Sequence, residues 1–543
     1  MDKYDVVIVG AGFAGMYGLH KLRSQGLKVK VFEAGSDVGG TWYWNRYPGA
    51  RCDVPSIEYS FGFSDELEQE WDWPEVFSAQ PDILRYANHV ADRFDLRKDI
   101  AFNSRVSEVL FMEETGVWRI KSGESYQCQA RFCVMATGCL SVPNTPAING
   151  ADQFQGQVLH TGRWPKEQVD LSGKKVGVIG TGSSGVQAIP ELARMSGHLY
   201  VYQRSPVYTV PANRKAMREE VQQEFRRNYR EIRQLQQHNF GGVSNFRLTE
   251  SVRRSKADRP DQAAPPKILG LSEQDRNDLV AQKGLGVLLS FADVYSDTEA
   301  NEVANRLFRE GISQIVEDQE VAEGLMPNDY GLGCKRQVLD RDYYETFNRS
   351  DVSLVNLQHT PIDKITRDGI RTSAGDQELD VLIYATGFDA MTGALLKSNV
   401  VGKNGLALKD KWEFGPAAYL GLQVSGFPNL FMVTGPGSPS VLCNMLVAIE
   451  QHINWIGDCI KHLDGKGYSR IEPTKLAEEE WVAHVNQVAE GTMYTAPSCN
   501  SWYLGANIPG KPRIFMPYVG GYPQYKARCD EIVESGYEGF AIN

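Results

Sequence analysis

Long hydrophobic runs are missing from this chain. The strongest, Val6–Val9 and Leu442–Ile449, fall far short of the roughly 18 residues that cross a bilayer. Basic excess is missing too. Lys and Arg number 57 against 68 Asp and Glu, a net charge of −11, which argues against a nucleic-acid partner. Cysteine is scarce and odd in number, nine in 543 residues, which predicts reduced thiols and no disulfide framework. No CxxC or HExxH spacing occurs among the cysteines and histidines, so no metal site is expected. The opening MDKYDVVIVG begins on a strand and shows no signal-peptide pattern, which predicts a cytoplasmic protein. Hydrophobic residues at 42% and charged residues at 23% are ordinary for a globular chain, large enough for several domains.

What is present begins with a strand, Tyr4–Val9, followed by Gly10-Ala11-Gly12-Phe13-Ala14-Gly15, a helix through Leu22, and a second strand ending at Glu33. This βαβ unit predicts an α/β fold with a doubly wound parallel sheet. In such a turn the first glycine permits the bend, the second lets a pyrophosphate approach, and the third packs helix against strand. The helix N-terminus then attracts phosphate. Glu33 stands where a carboxylate accepts from a ribose diol and repels a 2′-phosphate, so the first site favours FAD or NAD.

About 170 residues later the pattern repeats. The strand Lys175–Ile179 leads into Gly180-Thr181-Gly182-Ser183-Ser184-Gly185, and the next strand, Leu199–Gln203, ends at Arg204-Ser205. A guanidinium and a hydroxyl at that point suit a 2′-phosphate, hence NADPH. Two sites of opposite preference imply FAD as hydride acceptor and NADPH as donor. Two further strands, Phe132–Met135 and Val381–Tyr384, each run into Ala-Thr-Gly, a tight turn where main chain lies close to something bulky. The charged stretch from Met217 to Gln237 reads as an exposed amphipathic helix in an inserted lobe.

Electrons on the flavin have three destinations. A redox-active disulfide needs two cysteines behind the first unit, where only Cys52 stands. Cys128 and Cys133 are separated by an odd number, which predicts opposite faces of a strand and a packing role. No motif supports an external electron acceptor. Molecular oxygen is the third destination.

At this point two motifs resemble a known family. Phe154 to Pro165 fits FxGxxxHxxxWP, and Gly39 to Asp53 fits GGxWxxxxYPGxxxD. Both are similar to fingerprints of the type I Baeyer–Villiger monooxygenases, and the likeness runs from Tyr4 to about Phe540. Gly435–Met445 looks more like the phenylacetone and steroid monooxygenase branch. The resemblance implies two Rossmann-like domains of the two-dinucleotide-binding flavoprotein type with a helical insertion. Residues 1–143 and 385–543 would bind FAD, 144–212 and 329–384 NADP, and 213–328 would form the insertion.

It also implies a reaction in which NADPH and O2 convert a ketone into an ester or lactone through a C4a-peroxyflavin. The nearest alternative is a flavin-dependent N- or S-oxygenase. Arg336 is carried over as the catalytic cation that stabilises the peroxide and the tetrahedral adduct, with Asp53 positioning it. Around FAD the resemblance adds Gly40, Thr41, Trp42, Asp53, Tyr59, Val106 and Met445. Around NADP it adds Gln187 and Lys335 to the glycine turn, Arg204 and Ser205. Val441 and Leu442 would shape an apolar pocket, and Trp502 would belong to a mobile control loop. His160 and Trp164 are assigned structural roles. The partners implied are a small ketone and O2, with no nucleic acid, membrane or protein.

Overall fold

The computed structural model describes residues 1–123, 125–212, 216–244 and 266–543. Its first sheet grows around Asp2–Val9, which pairs in parallel with Val29–Phe32 on one side and Tyr126–Met135 on the other. The hairpin of Val106–Met112 and Val117–Ser122 extends the sheet, and Leu430–Met432 joins Tyr126–Met135 from near the other end of the chain. Val6 and Ile8 enter the cluster beneath the helices Phe13–Ser24 and Met445–Lys466, while Val7 and Val9 enter the cluster on the opposite face. A strand buried on both faces needs the unbroken aliphatic run seen here rather than alternation.

The second sheet has five parallel strands in the order Val352–Asn356, His198–Gln203, Lys175–Ile179, Val381–Tyr384 and Gln157–His160. The FxGxxxH motif therefore ends the edge strand. His160 Nδ1 accepts from the Gly162 N–H at 2.9 Å and Nε2 lies 3.2 Å from the Asn144 carbonyl. Both ring nitrogens are occupied and burial lowers the imidazole pKa, so the ring is a neutral structural group. Trp164 packs in the cluster of this second sheet.

The charged stretch forms the helix Glu219–His238. Its Phe225 and Ile232 are buried with the first sheet, whereas Ile268, Phe291, Phe308 and Leu325 are buried with the second. The segment expected as one lobe thus packs against two cores; residues 213–215 and 245–265 of it lie outside the described residues.

Two expectations about cysteine are overturned. Cys128 and Cys133 share one cluster. Within Tyr126–Met135 the alternation changes phase at Arg131: Cys128 and Ala130 before it and Cys133 and Met135 after it share one face, while Phe132 and Val134 take the other. More consequentially, Cys334 and Cys499 form a disulfide across 165 residues of sequence. The fold brings their Cα atoms to 5.6 Å, inside the range a disulfide spans. The other seven cysteines are free. Among the described residues no helix is long and apolar enough to cross a membrane.

Candidate active site between two nucleotide turns

Both glycine turns are built on the same constraint. A Cβ on Gly10, at φ +105°, would lie 2.5 Å from the Ala136 carbonyl, and one on Gly180, at φ +108°, 2.6 Å from the Ala385 carbonyl. What lies against the alanine of each Ala-Thr-Gly turn is therefore the backbone of a glycine turn, where no side chain fits. The helices that follow, Phe13–Ser24 and Ser183–Met195, are capped by Gly12 and Gly182 with no side-chain cap. Their first N–H groups are left for an external acceptor, which is what a pyrophosphate supplies.

The strand ends differ. Glu33 is buried, and its carboxylate accepts from the Ala11 N–H at 2.7 Å and the Gly35 N–H at 2.6 Å. Those bonds fix both oxygens beside the first turn. At the second turn Arg204 is exposed and pairs with no carboxylate among the described residues, and Ser205 accepts through its carbonyl from Thr181 Oγ1. Lys335 lies over the Tyr330 ring at 3.9 Å. Burial, helped by the nearby Arg204 charge, lowers its pKa to about 8. Two cations close together, with no carboxylate in salt-bridge contact among the described residues and Asp329 acting on Lys335 only from a distance, are chemistry that fits a phosphate.

The segment from Gly39 to Asp53 ties the two units together. Gly39 N–H donates to the Ala11 carbonyl, and Gly40 lies against Gly12. Trp42 Nε1 donates to the Tyr59 hydroxyl at 3.2 Å, and Phe13 meets Tyr59 edge-on. Further along, Tyr47 donates its hydroxyl to Gln187 Oε1 at 2.9 Å, and Gln187 Nε2 reaches the Arg51 carbonyl. The segment ends at Asp53, whose two carboxylate oxygens accept from Arg336 Nε and Nη2 at 2.6 and 2.8 Å.

That ion pair is the centre of the site. Burial would lower the Arg336 pKa, but Asp53 and a hydrogen bond with Tyr503 hold it well above the ordinary arginine value. Burial would raise Asp53, but Arg336 outweighs it and keeps the carboxyl below the usual range. Arg336 Nη1 also donates to the Val441 carbonyl. Three of the guanidinium's five N–H donors are thus spent, and the others are available to Tyr503 and to a negative oxygen.

The fold brings together Arg336, Asp53, Val441, half-buried Leu442 and, through Tyr503, the segment of Trp502, whose ring packs on Tyr503 at 4.4 Å. Met445 packs against both cores from the start of its helix. Val106 sends its side chain into the cluster on the far face of the first sheet, and Thr41, Ser183 and Gly182 are exposed. Tyr503 and the Cys334–Cys499 pair had no sequence signal, since nothing in a linear spacing marks partners more than 160 residues apart. Gln187 was singled out as a nucleotide residue; in the structure its side chain joins the two units.

The fold and this junction define a flavoprotein oxidoreductase with two dinucleotide sites. Residues 7–256 match the family model described as pyridine nucleotide-disulphide oxidoreductase. The chain is 39% identical over 98% of its length to a Baeyer-Villiger monooxygenase of Pseudooceanicola batsensis, covering 95% of that protein. It is 38% identical over 99% of its length to phenazine N-monooxygenase PhzNO1 of Lysobacter antibioticus, covering 97% of it. Among solved structures, oxidized steroid monooxygenase bound to NADP superposes with a TM-score of 0.90 at 46% identity, with 99% of both chains covered. The chain belongs to the Baeyer–Villiger monooxygenase family.

Proposed function

We propose that the protein uses NADPH and O2 to convert small apolar ketones into esters or lactones, with Arg336 as the catalytic cation. FAD, when bound, takes hydride from NADPH and activates oxygen. The first glycine turn, Glu33 and the Gly40–Trp42 segment would hold FAD. Tyr59, Val106 and Met445 complete its surroundings. The second turn, Arg204, Ser205 and Lys335 would hold NADPH. In this reading residues 1–143 and 385–543 form the FAD domain, 144–212 and 329–384 the NADP domain, and 213–328 an insertion, all in the cytoplasm.

One observation carries the assignment: a permanently charged guanidinium, gripped on one edge by Asp53, stands where segments from both nucleotide units converge. The bidentate grip fixes the plane of Arg336, so the one N–H left after Asp53, Val441 and Tyr503 can meet a developing oxyanion without reorganisation. Val441 and Leu442 offer apolar surface to the ketone, and Trp502 covers nucleotide or substrate.

Arg336→Ala is expected to preserve NADPH oxidation while ester formation falls by about 10²–10³-fold, the usual cost of one oxyanion donor. Product analysis by mass spectrometry over a ketone panel reads this directly; ester yields close to the parent would reject the assignment. The similarity to a phenazine N-monooxygenase favours a second reading, oxygen transfer to nitrogen or sulfur. Conversion of amines or sulfides with no ester from any ketone would select it.

A further inference from the structure

The disulfide joins the two segments that meet at the active site. Cys334 stands two residues before Arg336, and Cys499 three residues before Trp502. Both cysteines are buried. The loop that follows Cys499 has other attachments, all non-covalent. Tyr503 bonds Arg336, Asn507 Nδ2 donates to the Phe388 carbonyl at 2.8 Å, and Lys511 Nζ pairs with Asp389 at 2.6 Å. Further along, Arg513 reaches back to Asn500 and the Ala496 carbonyl. Each of these opens and closes on its own; the disulfide does not.

We propose that the Cys334–Cys499 bond is a releasable fastener that holds the Trp502 loop against the Arg336 segment. The effect on turnover rests on the monooxygenase reading above; the release of the loop does not. The reductant is a small thiol or dithiol. Its thiolate attacks one sulfur and forms a mixed disulfide, expelling the other cysteine as a thiolate that takes up a proton. A second reductant thiolate then displaces the remaining cysteine, which is likewise protonated. The protein disulfide gains two electrons and two protons, and two reductant thiols become one disulfide. Burial of both sulfurs means that attack follows an opening of the loop, so release is slow and depends on loop motion.

The test uses the FAD-loaded enzyme purified in air. Thiol titration in denaturant should count seven thiols before reduction and nine after it. Trypsin cleavage after Arg513 should accelerate about tenfold on reduction, as local opening becomes easier. KM for NADPH and for ketone should rise by roughly threefold or more while bound flavin absorbance is unchanged. The double variant Cys334→Ser/Cys499→Ser should behave as the reduced protein and ignore reductant. If it does not fold, the parent with and without dithiothreitol decides alone. Nine thiols without reductant would overturn the proposal. So would identical proteolysis in the oxidised and reduced states. Failure of the monooxygenase reading would look different: no ester in either state, with the proteolysis contrast intact.

Discussion

The two nucleotide turns are alike in backbone and opposite in charge. Gly10 N–H donates to the Phe32 carbonyl at 2.8 Å, and Gly180 N–H to the Tyr202 carbonyl at 3.0 Å. Each turn then presses against an Ala-Thr-Gly carbonyl within a tenth of an ångström of the same clearance. At the end of the next strand, however, Glu33 is buried and held by two main-chain donors, whereas Arg204 is exposed beside Lys335. In the proposed reading the phosphate cradle is a backbone solution used twice, and the side chain at the strand end selects the nucleotide that fills it. The immobile carboxylate would suit a cofactor that stays, and the exposed cation one that comes and goes.

The comparison breaks most severely at its shared part. A Cβ at position 15 would lie 1.8 Å from the Gly10 carbonyl, and one at 185 would lie 2.3 Å from the Gly180 carbonyl. Gly15→Ala should therefore yield colourless or misfolded protein. Gly185→Ala should keep its flavin and lose NADPH oxidation, read by flavin absorbance and nicotinamide fluorescence titration. Equal colour loss in both would mean that the two turns are not independent.

The charge difference gives the next effect. Arg204→Ala should raise KM for NADPH by about 10–100-fold, the 1.5–3 kcal/mol of a charge-assisted hydrogen bond, and leave KM for NADH nearly unchanged. Equal loss with both nucleotides would remove the 2′-phosphate assignment. A smaller loss is expected from Glu33→Gln. The amide must turn one donor toward Ala11 or Gly35 N–H, so FAD affinity should fall by about tenfold in a reconstitution titration, one lost hydrogen bond.

The smallest effect is a pH dependence. Lys335, lowered to about 8 by burial and Arg204, is protonated below that value and neutral above it. NADPH affinity should decline by a few-fold as pH rises from about 7 to 9. NADH, which has no 2′-phosphate, should show no such slope.

Much of this was legible because nucleotide binding is local in sequence. Glycine, a strand before it and a charge some 20 residues beyond it lie in one βαβ unit, where strand and helix periods fix their relative places. The FxGxxxHxxxWP and GGxWxxxxYPGxxxD segments marked the family for the same reason. Face assignment of Cys128 and Cys133 failed because the strand between them changes phase once, at Arg131, and a single slip undoes an argument from parity.

The amino-acid order by itself determined two dinucleotide units, the opposite charges at their strand ends and the absence of any apolar run long enough to cross a membrane. The pairing of Asp53 with Arg336 was expected from the family resemblance, but only the tertiary structure decided its two-bond geometry across 283 residues, that Tyr503 joins them, and that Cys334 and Cys499 are bonded. The physical reason is range. Periodicity and turn chemistry act over a few residues, whereas these contacts exist only after two sheets have packed and brought distant loops to one place.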